Sequence, residues 1–192
     1  MKKVLFCMCF IFILLVFSSC VTQVNNQSDS ISTMTIPHSL IRFCGLEKDE
    51  FIESFSSNHN DIYTEVKVEG EDVVVSMTEP QRQNFIKQTE RIIDNSLDDY
   101  YNYNSEYKFH GSSDYKKVEF YHDEHLRKLD EETAILKVVS QYAQMQLLTD
   151  NTRDWNVEVK VYNCHTGKLV GEGTAPHDHL RWTSEDWSKS YE

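Results

Sequence analysis

Two periodicities alternate along this chain, and they constrain its fold more than any single residue does. Glu79 to about Tyr101 places Phe85, Ile86, Thr89, Ile92, Ile93, Leu97 and Tyr100 at spacings of three and four. That is the stripe of an amphipathic helix. Ala134, Ile135, Val138, Val139, Tyr142, Met145 and Leu148 repeat the pattern behind a cap at Asp130. Trp155, Val157, Val159 and Val161 then alternate with Asn156, Glu158 and Lys160, the period of a strand with one buried face. Leu46 to Ser56 reads as a shorter helix, and each helical stretch precedes two strand-like runs. The paired runs are Ile62–Glu69 with Asp72–Met77, Tyr107–Phe109 with Val118–Tyr121, and Trp155–Val161 with Leu169–Thr174. Turn chemistry separates each pair: Gly70-Glu71, Gly111-Ser112-Ser113-Asp114 and Asn163-Cys164-His165-Thr166-Gly167. The expectation is an α+β fold in two layers. One antiparallel sheet is built from three helix–hairpin units, with the helices on one face.

This domain is expected over residues 41–176. Residues 20–40 are rich in Ser, Thr, Asn and Gln and read as a flexible tether. Residues 177–192 form a C-terminal tail, in which Thr183 or Ser184 caps a short helical turn carrying Trp187.

Several polar clusters offer candidate chemistry. His122-Asp123-Glu124-His125 spells H-x-E-H, one residue short of the zinc-binding helix motifs H-E-x-x-H and H-x-x-E-H. It also sits at a strand end, where successive side chains point to opposite faces. His177-Asp178-His179, joined by Cys164-His165, is a second and weaker grouping. Neither matches a metal motif, so no metal and no cofactor is expected. There is no G-x-S-x-G elbow, no S-x-x-K set and no phosphate-binding glycine loop, and six glycines leave few places for close backbone approach to a nucleotide. No catalytic residue is recognisable, which favours a binding module over an enzyme. Asp98–Tyr107, DDYYNYNSEY, gathers Tyr100, Tyr101, Tyr103 and Tyr107 with Asp and Asn. Tyrosine faces stack on sugar rings, which makes these four a candidate glycan or partner surface. The alternative is the end of a helix whose stripe Tyr100 and Tyr103 continue.

The N-terminus speaks to location. Lys2 and Lys3 precede an unbroken apolar run of 14 residues, Val4 to Phe17. As a helix it would reach about 21 Å, short of the ~30 Å hydrocarbon core. It therefore reads as the hydrophobic region of a secretory signal covering residues 1–19. Phe17-Ser18-Ser19-Cys20 resembles the lipobox of bacterial lipoproteins. The resemblance implies cleavage before Cys20, transfer of a diacylglycerol group to its thiol, and a lipid anchor on the outer face of a cell membrane. Two acyl chains at ~0.8 kcal/mol per buried CH₂ hold far more firmly than one. Losing residues 1–19 removes two of the 19 basic residues and none of the 31 acids, so the formal charge moves from −12 to −14. Such a chain is repelled by phosphate and anionic head groups. Nucleic acid is not an expected partner, and attachment falls to the lipid. The expected partner is a protein or another component of the cell envelope. A hydrolase acting on envelope material and a glycan-binding module are the competing readings. Cys44 and Cys164 are the two thiols of the domain, and outside the cytoplasm they are available either to a disulfide or as separate buried thiols.

Overall fold

A computed structural model describes residues 30–58, 62–126 and 128–192. The expected signal segment 1–19, Cys20 and the start of the expected tether lie outside the described residues, as does the Tyr103 side chain. Among the described residues no helix is long and apolar enough to cross a membrane.

The fold is α+β, but the strands form two sheets rather than one. The chain divides into two compact units, with the division between Phe85 and Ile86.

In the first unit the elements run β1 (Ile31–Ile36), α1 (His38–Phe43), α2 (Lys48–Asn58), β2 (Glu65–Glu69) and β3 (Asp72–Thr78), then the start of α3 (Glu79–Tyr103). Its three strands are ordered β1-β3-β2 and both pairings are antiparallel. The central strand, DVVVSMT, alternates as its sequence demands, with Val73, Val75 and Met77 buried. Opposite them stand Ile36 and Met34 of β1, at Ile36↔Val73 and Met34↔Val75. Leu40, Ile41, Leu46, Phe51, Phe55, Ile62 and Phe85 complete the core. The Phe55 ring meets Phe51 at 5.6 Å, Tyr63 at 5.4 Å and Phe85 at 6.2 Å. The β2–β3 hairpin closes through Gly70-Glu71 with Glu69 paired to Asp72, and Gly70 has φ +66°, a conformation a Cβ would penalise. A reciprocal cap starts α3: the Thr78 amide donates to Gln81 Oε1 at 2.9 Å, and the Gln81 amide donates to Thr78 Oγ1 at 3.4 Å.

This unit corrects the expected tether. From Ile31 to Leu40 the chain is β1 and the start of α1, with Met34, Ile36 and Leu40 buried. Thr and Ile favour extended backbone, so a Ser/Thr-rich segment whose Met34 and Ile36 share one face suits a strand as well as a linker.

The second unit holds the rest of α3, then β4 (Lys108–Gly111), β5 (Lys117–His122), α4 (Lys128–Asp150), β6 (Val157–Asn163), β7 (Leu169–Ala175) and α5 (Ser184–Lys189). Its strands are ordered β4-β5-β6-β7. The outer pairs are antiparallel hairpins, as expected, but β5 and β6 run parallel, from Lys117↔Glu158 to His122↔Asn163. Parallel neighbours need a long crossover, and α4 supplies it. The wholly antiparallel sheet expected from sequence is thus corrected. Val118, Phe120 and His122 of β5 and Val157, Val159, Val161 and Asn163 of β6 are buried. α4 packs on β6, and its Tyr142 ring meets Phe109 at 6.1 Å and Tyr115 at 5.4 Å. Buried Gln146 is satisfied, because its Nε2 donates to the Tyr115 carbonyl at 2.6 Å and the Asn156 carbonyl at 2.8 Å.

The C-terminal residues fold back on this unit. α5 lies against β7, and Trp182 and Trp187 are buried. Gly171 makes room for the Trp182 indole, which a Cβ there would overlap. Thr183 caps α5 in a complete capping box: its hydroxyl accepts from the Asp186 amide at 3.2 Å, and Asp186 Oδ2 accepts from the Thr183 amide at 2.8 Å.

Candidate functional site

The parallel pair in the second unit carries two strand ends side by side, His122 of β5 and Asn163 of β6. The Cys164 amide continues the ladder by donating to the His122 carbonyl at 2.9 Å. Around these ends gather Glu106 and Tyr107 before β4, Asp123 after β5, Glu131 in the first turn of α4, and Cys164 and His165 in the β6–β7 turn. In open sheets the carboxyl ends of parallel strands are where ligands bind, because the chain leaves them as loops next to a helix N-terminus.

His165 stands between two carboxylates. Its Nδ1 is 3.4 Å from Glu106 Oε2 and its Nε2 is 3.5 Å from Asp123 Oδ2. Asp123 is buried and held firmly: its Oδ1 accepts from the Tyr107 hydroxyl and from the His125 amide, both at 2.9 Å. Burial works to raise the Asp123 pKa. The Tyr107 and His125 hydrogen bonds, with the His125 and His165 rings nearby, outweigh it and hold the carboxyl below the ordinary range. Tyr107 is shifted upward by burial and by that same bond to Asp123. The Cys164 thiol is also pushed up, by burial first and then by the negative fields of Asp123 and Glu106. The turn that presents Cys164 and His165 is braced: Asn163 Oδ1 accepts from the His165 amide at 2.9 Å, Asn163 Nδ2 donates to Ser190 Oγ at 2.9 Å, and Thr166 Oγ1 donates to the Ser190 carbonyl at 2.8 Å.

Beneath this rim lies a buried polar pair. His122 Nδ1 is 2.9 Å from the Asp123 carbonyl, and His122 Nε2 faces Glu131 Oε1 at 3.3 Å. Neither Nε2 nor Oε1 has a well-aligned hydrogen bond, so each depends on the other. The His122 ring packs against Trp187 at 4.9 Å, Tyr107 at 5.9 Å and Tyr100 at 6.2 Å.

The residues singled out from sequence are distributed as follows. The four residues of HDEH diverge: His122 and Asp123 are buried, while Glu124 and His125 are exposed. Among the described residues the only group placed to share a cation is Glu106, Cys164 and His165, and it does not include the exposed His177 and His179. Tyr100 and Tyr107 are buried and Tyr101 is exposed. The Tyr100 hydroxyl donates to the Tyr121 carbonyl at 3.0 Å. Tyr100 and Tyr107 therefore do not offer ring faces for sugar stacking, because their rings fill the core beside Phe120 and His122. Cys44 and Cys164 are free thiols; Cys44 is buried in the first unit, where desolvation pushes its pKa to about 12. Sequence reasoning missed Glu131 and Glu106. A signal for Glu131 exists, since it is an acid in the first turn of a helix that begins six residues after a strand ending in histidine.

No protein-family model, curated protein or solved structure matches the chain.

Proposed function

We propose that the chain is a lipid-anchored lipoprotein of the extracytoplasmic face of a bacterial membrane, acting as a non-catalytic binding module. The observation that carries this reading is Phe17-Ser18-Ser19-Cys20 behind an apolar run of 14 residues. On this reading the mature chain begins at Cys20, whose thioether-linked lipid holds it to the membrane. The first strand of the first unit then follows after ten residues, 21–30, since β1 begins at Ile31.

Binding is favoured over catalysis by the state of the one thiol near the rim. A nucleophilic cysteine needs a lowered pKa, and that of Cys164 is raised. The second unit offers a suitable surface. On the reading that α4 covers the Val118–Phe120 side of the sheet, the opposite side is open. There Tyr121 and Tyr162 stack at 4.8 Å with planes 14° apart. Lys117, Glu158, Lys160 and Glu172 form a charge ladder beside them, with contacts of 3.3, 3.0 and 3.5 Å. Flat aromatic area flanked by charges of both signs suits a protein or envelope polymer, and the net negative charge disfavours nucleic acid.

The test is fractionation of cells expressing the wild type and Cys20→Ala, with a labelled fatty acid supplied. The wild type is expected in the membrane fraction and labelled, and the variant unlabelled with altered partition. Equal membrane retention with no label on the wild type contradicts the reading. Crosslinking from intact envelope, repeated with Tyr121→Ala and Tyr162→Ala, tests the surface separately.

A further inference from the structure

We propose that Glu106, Cys164 and His165 form a zinc(II) site. Cys164 Sγ, one ring nitrogen of His165 and a carboxylate oxygen of Glu106 lie within 4.8 Å of one another. Thiolate, imidazole and carboxylate are the three protein ligand types zinc accepts, and with bonds of about 2.0–2.3 Å its tetrahedral ligands stand roughly 3.3–3.7 Å apart. The His165 Nδ1 to Glu106 Oε2 separation, 3.4 Å, already meets that spacing. Closing the remainder, the approach of Cys164 Sγ to the other two, asks for side-chain rotations of Cys164, His165 and Glu106, none of which is buried.

The surroundings are those of a ligating histidine. With Nδ1 toward the ion, Nε2 is left facing the Asp123 carboxylate, 3.5 Å from its Oδ2. That is the carboxylate–histidine–metal arrangement in which the outer carboxylate fixes ring orientation and strengthens the ligand. Asp123 is in turn fixed by Tyr107 and the His125 amide. The turn bearing both Cys164 and His165 is braced through Asn163 to Ser190, so two of the three ligands sit on a backbone ordered before any ion arrives. The two acids that oppose a bare thiolate attract a dication. Binding replaces the Cys164 S–H bond with an S–Zn bond and releases that proton to solvent; no electron is transferred. Water takes the fourth position, so the site is open, suited to a ligand donated by a partner or to small anions. This inference stands whether or not Cys20 carries lipid.

The test uses the full chain in detergent, freed of metal by chelation. Cobalt(II) serves as the spectroscopic probe and zinc(II) as the competitor. The expected result is one cobalt per chain, with a sulfur-to-cobalt charge-transfer band in the near ultraviolet that zinc removes. Cys164→Ser is expected to abolish the band, and Glu106→Gln to weaken zinc binding at least tenfold. Cys44→Ala and the double variant His177→Ala/His179→Ala leave both unchanged. Glu106 is exposed, so its variant reports even where Cys164→Ser does not fold. Absence of the band in the wild type, its persistence in Cys164→Ser, or its loss in the His177/His179 variant overturns the site.

Discussion

The His122–Glu131 pair allows the energetics of the second unit to be tested with a definite sign pattern. Both side chains are almost fully buried, at 1% and 9% exposure, and they face each other at 3.3 Å. Replacing Glu131 by leucine roughly keeps the volume and leaves His122 Nε2 against hydrocarbon. A buried polar group stranded in this way costs about 1–3 kcal/mol, and a broken buried ion pair about 3–5 kcal/mol. An expected loss of about 3 kcal/mol sits where the two ranges meet. His122→Leu strands the Glu131 carboxyl instead and should cost about the same. The double variant leaves no stranded polar partner, so it should cost no more than one single change, a coupling of at least about 3 kcal/mol. Urea unfolding followed by tryptophan fluorescence reads this unit selectively, because Trp155, Trp182 and Trp187 all lie beyond residue 86. With a urea slope of about 1–3 kcal/mol per molar, each single variant moves the midpoint by roughly 1–3 M. Additive costs in the double variant, or single variants within about 0.5 kcal/mol of wild type, would refute the reasoning.

Further outcomes are expected elsewhere. Val138→Asp buries a charge beneath α4, where Val138 is 1% exposed, and should cost more than about 4 kcal/mol; an unchanged melting curve contradicts the placement of that helix face. Gly171→Ala should expel the Trp182 indole, lowering stability by about 1–3 kcal/mol and shifting tryptophan emission to the red. The Thr183 side chain and amide lower the pKa of Asp186, so this capping contact stabilises the fold above the unfolded value near 3.9 and is lost as pH falls through the folded value. Acid titration of Thr183→Ala should therefore show a shallower fall below about pH 4 than the wild type, and parallel curves argue against the cap. Buried Cys44 should resist alkylation at pH 8 in the native chain and label in urea without reductant; failure to label in urea alone indicates a disulfide.

Much of the local structure was legible because its signals are local. Gly70-Glu71 marked the β2–β3 hairpin, the Phe85–Tyr100 stripe α3, the Val157–Val161 alternation β6, and Thr183 the cap of α5. The arrangement of those elements was less legible. The parallel pairing of β5 with β6 depends on how a 23-residue helix carries the chain back across the sheet, and nothing within either strand encodes that. β1 was hidden by composition: ISTMTI carries only two buried side chains, Met34 and Ile36, among hydroxyl-bearing residues. The candidate site was the least legible part. Glu106 and His165 are 59 positions apart, and only the adjacency of β4, β5 and the β6–β7 turn brings them together. Short-range motif spacing drew attention to HDEH and HDH, whose members instead diverge across a strand end or lie exposed.

The central claim, an anchored chain that begins at Cys20, is tested most directly by intact-mass spectrometry of the protein extracted from membranes. The account predicts a polypeptide spanning Cys20 to Glu192 plus the mass of a diacylglycerol-modified cysteine. A mass that retains Met1, recovered from a soluble fraction without lipid, would contradict it.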